Sequence, residues 1–163
     1  MAHYTGADAK AALITLLSGA LVTASEPDVE VVYGSPWIRR DLADDIIAVQ
    51  DIATVRDRLR IGTNRMADED HEIRVTISVA RANSIDQQAC TERAVYLLDI
   101  LDTALRNVAG ENISAGAGAV GVWFGAIVGQ IDLIETSADD VAMNTAGRDA
   151  RLSFAVTARS RRT

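Results

Sequence analysis

The sequence is poor in the residues that cross-link small proteins or bind metals. Among 163 residues there is one cysteine, Cys90, and there are two histidines. A single cysteine excludes a disulfide within the chain, and two histidines leave little material for a zinc or haem site. A chain of this length buries roughly 68–70 % of its unfolded surface. We therefore predict one domain over residues 1–163 that folds without a disulfide, a metal or another cofactor.

Positive charge is also scarce. Sixteen Lys and Arg against 23 Asp and Glu give a net charge of −7 and a pI near 4.7, which argues against a general nucleic-acid binder. The arginines are uneven, because the chain from Arg148 onward carries +4 and the first 147 residues therefore carry −11. A basic tail at about 159–163 either contacts the acidic surface of a neighbouring subunit or is a solvated, disordered terminus. On the first alternative, deleting Arg159–Thr163 weakens assembly more than it lowers the melting temperature.

The sequence has no long apolar run. The stretch Ala11–Ala24 is shorter than the roughly 20 residues that span a bilayer. It resembles the apolar part of a signal peptide, but Asp8 offsets Lys10 in the segment that should be positive. We predict a buried helix and no membrane contact, because the apolar residues share one helical face: Leu13, Leu16, Leu17, Ala20, Leu21 and Ala24.

The opposite face of this predicted helix carries no charge after Lys10. It consists of small or uncharged residues, whereas a solvated helix face normally carries Lys, Glu or Arg. The face is either an interface or is covered by a second layer of the same domain. The candidate interface residues on it are Thr15, Ser18, Gly19 and Val22.

Hydrophobic periodicity predicts an α+β fold, in which a mostly antiparallel sheet is packed by the N-terminal helix and one long central helix. A capping-box pattern at Ser84 and Gln87 opens the long helix, which runs to about Asn107. We predict an acidic turn at 68–70 and an exposed loop at 136–148. The predicted strands are 29–33, 46–52, 54–61, 72–80, 120–135 and 150–159.

No motif predicts catalysis. Gly116–Gly121 is a literal G-x-G-x-x-G, but a helix precedes it and a strand follows, the reverse of a dinucleotide site. His71-Glu72 lacks the second histidine of a zinc helix. Cys90 lies on the apolar stripe of the long helix and is interpreted as a core thiol. We expect no catalytic or metal-binding residue and no enzyme activity.

Four segments together resemble the tail terminator proteins of long-tailed (siphovirus-type) bacteriophages. They are the first helix with Val31-Val32-Tyr33-Gly34, the strand EIRVTISV, the long helix with TERAVYLL and DTALR, and the end GRDARLSFAVTAR. The resemblance implies a hexameric ring on the head-proximal end of the tail tube, which ends tube polymerisation and binds the head-completion or connector protein. The ring would assemble in the host cytoplasm and lie in the tail-neck region of the virion, and genomic DNA would pass through it without sequence readout.

In such a ring the uncharged helix face and the arginines are candidates for subunit or partner contacts, because contacts around a ring are heterologous. The arginines in this hypothesis are Arg151, Arg159, Arg161 and Arg162. Two alternatives stay open. One is another connector ring of the neck, such as a head-completion or adaptor protein, and the other is a small bacterial enzyme or ligand-binding domain.

Overall fold

The computed structural model of the protein describes residues 5–35, 44–56, 68–113, 120–140 and 145–162. Within these ranges two helices and five strands follow one another as helix, three strands, helix and two strands. The helices are α1 (Gly6–Thr23) and α2 (Gln87–Asn107). The strands are β1 (Glu30–Tyr33), β2 (Asp45–Arg56), β3 (Asp68–Ala82), β4 (Val120–Asp140) and β5 (Thr145–Arg162).

The five strands form one sheet in the order β1-β2-β3-β5-β4. β1 runs parallel to β2, and each remaining pair of neighbours is antiparallel. The predicted α+β fold with a mostly antiparallel sheet is therefore confirmed. β4 and β1 form the two edges of the sheet.

Strand alternation places the core on one face of the sheet. In β3 the odd-numbered residues from Ile73 to Val79 are fully buried, and in β5 the even-numbered residues from Ala150 to Ala158 are buried with them. Both sets pack in one cluster with apolar side chains of both helices. The even-numbered Glu72 and Arg74 lie on the opposite face and are exposed, so the helices cover only one side of the sheet.

The buried face of α1 is rotated from its predicted position. Leu13, Leu17 and Leu21 are buried as expected, but Ala9 and Ala12 complete the buried face. Leu16, Ala20 and Ala24 are only half-buried. The buried face of α1 thus combines these leucines with two short alanines, which let the backbone of the helix approach its neighbours closely.

The beginning of α2 also differs from the prediction. Asp86, not Ser84, is the N-cap residue, and its carboxylate accepts a hydrogen bond from the Ala89 backbone N–H at 2.9 Å. The Ser84 hydroxyl instead accepts from the Asp86 N–H at 3.2 Å. Aspartate is a favourable N-cap residue, because the positive end of the helix dipole also stabilises its negative charge.

Two predicted strands merge into one, and three others are longer than predicted. Residues 46–52 and 54–56 belong to one strand, β2, with an irregularity between Val49 and Ile52. The predicted acidic turn at 68–70 is the start of β3, and the predicted loop at 136–148 contributes to β4 and β5. These polar residues become strand because partners in neighbouring strands supply their backbone hydrogen bonds. Residues 57–61 of one predicted strand and 114–119 of the glycine-rich segment lie outside the described residues.

Candidate interaction surfaces

An open groove lies between α1 and α2 on the side of the helix layer away from the sheet. Its volume is about 780 Å³. The lining side chains are small, apolar or hydroxylated except for Asp99 and Asn107, and none belongs to lysine or arginine. They are Thr15, Leu16, Gly19, Ala20, Thr23, Ala24, Tyr96, Asp99, Ile100, Thr103, Ala104, Asn107, Val108 and Ile113.

The threonines of α1 do not make this groove polar. The Thr15 hydroxyl donates to the Ala11 carbonyl at 3.0 Å, and the Thr23 hydroxyl donates to the Gly19 carbonyl at 2.9 Å. Each donor is therefore satisfied by its own helix. Of the four candidates that the sequence offered on this helix, Thr15 and Gly19 line the groove. Ser18 and Val22 lie outside it, although Val22 is 76 % exposed.

The candidate arginines lie on a different surface, the sheet face that the helices leave uncovered. Register places Arg159 opposite Asp70 and Arg161 opposite Asp68, and both guanidinium groups bind the carboxylates with two nitrogens. These carboxylates raise the pKa of both arginines by hydrogen bonding. Arg151 binds Asp149 at 2.9 Å. The side chain of Arg162 lies outside the described residues.

These pairings correct the interpretation of the C-terminal segment through Arg162. Its residues are part of β5, so the disordered terminus is wrong over this range. The acidic surface that Arg159 and Arg161 contact belongs to the same chain. The sequence did not predict this pairing, because residues 68–70 were expected to form a turn. They are instead the start of β3, which carries Asp68 and Asp70.

The edge strand β4 exposes three apolar side chains that the sequence did not single out, and register places Leu133 and Ile134 on opposite faces of the sheet. Ile131, Leu133 and Ile134 are 44 %, 46 % and 57 % exposed. Two register shifts, after Phe124 and after Val128, interrupt the pairing of β4 with β5. Beyond them the strand pairs regularly from Asp132 to Asp140, and its other side is an edge of the sheet. An exposed edge with apolar side chains is a surface to which another chain can add.

A polar network is buried where the first turn of α1 meets the sheet. Ser160 of β5 lies 2.7 Å from His71 Nε2, and Thr54 of β2 lies 2.9 Å from His71 Nδ1. The Thr5 hydroxyl contacts both Ser160 and the Glu69 carboxylate, and the Thr5 N–H also donates to Glu69 at 3.0 Å. Thr5, Glu69, His71 and Ser160 are all at least 96 % buried.

The donors of this network can be assigned from the carboxylate outward. An ionised Glu69 only accepts, so the Thr5 hydroxyl donates to it and must itself accept from the Ser160 hydroxyl. Ser160 then has no proton left for His71, so His71 carries its proton on Nε2 and donates to Ser160. Burial lowers the pKa of His71, although the charges of Glu69 and Asp70 act in the opposite direction.

A serine beside a histidine nitrogen is the arrangement of a nucleophile and its base. Ser160, however, is 0 % exposed, and next to an ionised Glu69 its proton is directed to Thr5 rather than to His71. A substrate cannot reach this oxygen in the structure. The network instead satisfies buried polar atoms and fastens the start of α1 to β3 and β5.

An ion-pair cluster joins α2 to strands β2 and β3 and to the segment that follows α1. Arg93 of α2 binds both carboxylate oxygens of Glu26 at 2.9 and 2.6 Å and reaches Asp45 of β2 at 2.8 Å. Arg81 of β3 binds the other oxygen of Asp45 at 2.5 Å. Burial alone would raise the pKa of Asp45, but the hydrogen bonds from the two arginines outweigh it, so this pKa is lowered.

Two properties of the described ranges concern metal ions and membranes. No group of three or more His, Cys, Asp or Glu side chains there is arranged to hold a metal ion. The helix α1 is long and apolar enough to cross a membrane by length and composition, with a mean hydropathy of 1.2. Buried helices of soluble proteins and signal sequences have the same properties, and α1 contributes Leu13 and Leu17 to the core.

Comparison with known proteins finds similarity to solved structures. No protein-family model matches the sequence, and no curated protein matches it. Among solved structures, a chain from the virion of a native gene transfer agent particle is similar with a TM-score of 0.46 and 12 % sequence identity. The match covers 96 % of this chain and 99 % of that chain.

Proposed function

We propose that this chain is a virion structural protein of a long-tailed phage and acts as its tail terminator. Six copies form a ring on the head-proximal end of the tail tube. The ring stops tube polymerisation, binds the head-completion protein and lets DNA pass. The proposal starts from the four segments that resemble tail terminators, which include most of α2, β3 and β5.

The observation that carries the proposal is the free edge of β4. Contacts around a ring are heterologous, so each subunit needs two unlike surfaces that fit each other. β4 offers backbone groups beside Ile131, Leu133 and Ile134 that no other described strand pairs, whereas the opposite edge of the sheet, β1, has four residues and a 58 % exposed Tyr33. An edge of this kind is unfavourable in a monomer and useful in an assembly.

Native mass spectrometry and negative-stain microscopy test the ring. We expect six-membered rings at high protein concentration, and binding of these rings to one end of purified tail tubes. The variant Ile134→Lys places a charge in the β4 contact and should give monomers with an unchanged melting temperature. Ile85→Lys is the matched control, because it also adds a lysine at an exposed isoleucine, 80 % exposed, that precedes α2 and does not belong to β4.

Three results decide between the functions. Monomers at every concentration, together with no binding to tubes, overturn the proposal. Rings that bind the connector of the head but not the tube favour another neck ring. Rings that persist in Ile134→Lys reject β4 as the contact while leaving the terminator function standing.

A further inference from the structure

We propose that the groove between α1 and α2 binds a basic amphipathic helix of a different protein. The groove is separate from the β4 edge, so this inference does not depend on ring formation. Its occupant carries a row of apolar side chains flanked by lysine or arginine. Shape, charge and the composition of this chain's own helices support this occupant.

The shape of the groove suits a third helix. The lining residues of α1 run from Thr15 to Ala24, and those of α2 run from Tyr96 to Val108. At 1.5 Å per residue these segments are roughly 14 and 18 Å long, the length of about three helical turns. Gly19, Ala20 and Ala104 keep the floor low, which allows a partner helix to approach within ordinary packing distance.

The charge of the groove selects a basic partner. Asp99 lies in the lining, is exposed and makes no ion pair within the described chain. The carboxyl ends of both helices, at Thr23 and Val108, also contribute to the lining and carry the negative end of the helix dipole. The last turn of α1 has no basic residue that would compensate this charge.

A second copy of this chain does not supply such a helix from its described residues. The one lysine of α1, Lys10, is 7 % exposed and lies 3.9 Å from the ring centroid of Tyr33. The two arginines of α2, Arg93 and Arg106, are held by Glu26 and Asp102. The described helices of a second copy therefore offer no apolar row with free basic flanks, which favours an occupant from another protein.

Two synthetic peptides test the proposal on the full-length protein. Both form amphipathic helices with leucine on one face, and the other face carries lysine in one peptide and glutamate in its counterpart. We expect the lysine peptide to bind by calorimetry and to shift the amide resonances of lining residues such as Gly19 and Thr103. The glutamate peptide should bind at least about tenfold more weakly.

A pair of variants locates the binding site. A Cβ atom at position 19 meets nothing within 4 Å, so Gly19→Leu folds normally and fills the groove. This variant should abolish peptide binding, while Ala11→Leu, an exposed position of α1 outside the lining, should not. Asp99→Lys should weaken the binding of the lysine peptide. Glu92→Lys, on the same helix but outside the groove, should leave the affinity for this peptide unchanged.

Several outcomes overturn this inference. Equal affinity for both peptides, no binding of the lysine peptide, or undiminished binding to Gly19→Leu each do so. Conversion of an oligomer to monomers by Gly19→Leu would show that a second copy occupies the groove. Loss of rings in Ile134→Lys with peptide binding intact would leave this inference standing, because it concerns a different surface.

Discussion

Three hydroxyls and one imidazole join the first turn of α1 to three strands of the sheet. Thr5, Thr54 and Ser160 each contact His71 or Glu69, and their donors and acceptors match when His71 is neutral with its proton on Nε2. Buried polar groups stabilise a fold only when every partner is satisfied. The neutral imidazole therefore belongs to a network in which Thr5, at the start of α1, is bound to Glu69 of β3 and Ser160 of β5.

His71 should make the protein less stable in mild acid. Its pKa in the folded state lies below the ordinary value near 6.5, so the unfolded chain binds more protons as pH falls through that value. Unfolding free energy should therefore decrease between about pH 7 and 5. Urea titrations at several pH values should show a smaller decrease in His71→Gln, whose side chain hydrogen-bonds but does not titrate. An identical slope in both proteins would contradict this role.

Asp45 should contribute more to stability than an exposed acid does. Its side chain is 9 % exposed and receives hydrogen bonds from Arg81 and Arg93. Asp45→Asn should cost about 2 kcal/mol, less than the roughly 3–5 kcal/mol for breaking a fully buried pair, because both arginines are partly solvated. Arg106→Ala breaks an exposed i,i+4 pair and should cost at most about 0.5 kcal/mol in the same denaturation assay. Equal losses would show that burial does not set the strength of these pairs.

At the scale of the element, the end of β5 is structural. Ser160 is fully buried, and Arg159 and Arg161 lie directly across from aspartates of β3. The sequence predicts that deleting residues 159–163 weakens assembly more than it lowers the melting temperature, and the place of residues 159–162 in β5 adds that melting is affected as well. Removing a strand end takes away a row of backbone hydrogen bonds and the Ser160 side chain at once.

Deleting Arg159–Thr163 should lower the melting temperature by at least about 5 °C, since loss of buried hydrogen bonds costs a few kcal/mol. Differential scanning calorimetry measures the change. The control is the double variant Arg159→Ala and Arg161→Ala, which keeps the strand and Ser160. It should melt close to the wild type, because solvated ion pairs contribute little. A deletion that melts like the wild type would mean that the strand end is dispensable.

At the scale of the whole molecule, charge is divided between the two faces. Arg151, Arg159 and Arg161 of β5 lie on the uncovered sheet face and are held by aspartates, while the groove in the helix layer carries Asp99 and no basic side chain. With a net charge of −7, the protein should repel the phosphate backbone of DNA. A protein through which DNA passes benefits from this repulsion.

The wild-type protein should not bind a labelled DNA duplex at 150 mM salt in fluorescence anisotropy. Changing Asp68 and Asp70 to Asn releases Arg159 and Arg161, and weak binding should then appear at low salt and vanish as salt rises. Binding of the wild-type protein to the DNA duplex at 150 mM salt would contradict the proposal that DNA passes through the ring without being held. No change in the double variant would show that these arginines are not accessible to phosphate.

Much of the fold follows from periodicity. The alternation from Ile73 to Val79 and the helical spacing from Cys90 to Leu105 predict which side chains are buried, because a strand repeats every two residues and a helix every 3.6. The polar ends of β3, β4 and β5 were not predictable in this way. Their strand structure comes from pairing with distant segments, and no local pattern records such a partner.

The candidate surfaces divide in the same manner. The uncharged face of α1 pointed to a contact, and half of it, Thr15 and Gly19, lines the groove. The arginines pointed to a contact as well, but their nearest acids are on the same chain. The buried network around His71 could not be predicted from the sequence, because its members are far apart in the chain, from Thr5 to Ser160.

The sequence by itself determined the α+β class, the buried residues of β3 and α2, and the absence of a disulfide, since these follow from local spacing and composition. The tertiary structure decided which strand is the edge, where the arginines find their partners and which helix face stays open. These properties depend on what lies beside each element, and neighbours in space are set by the folding of the whole chain.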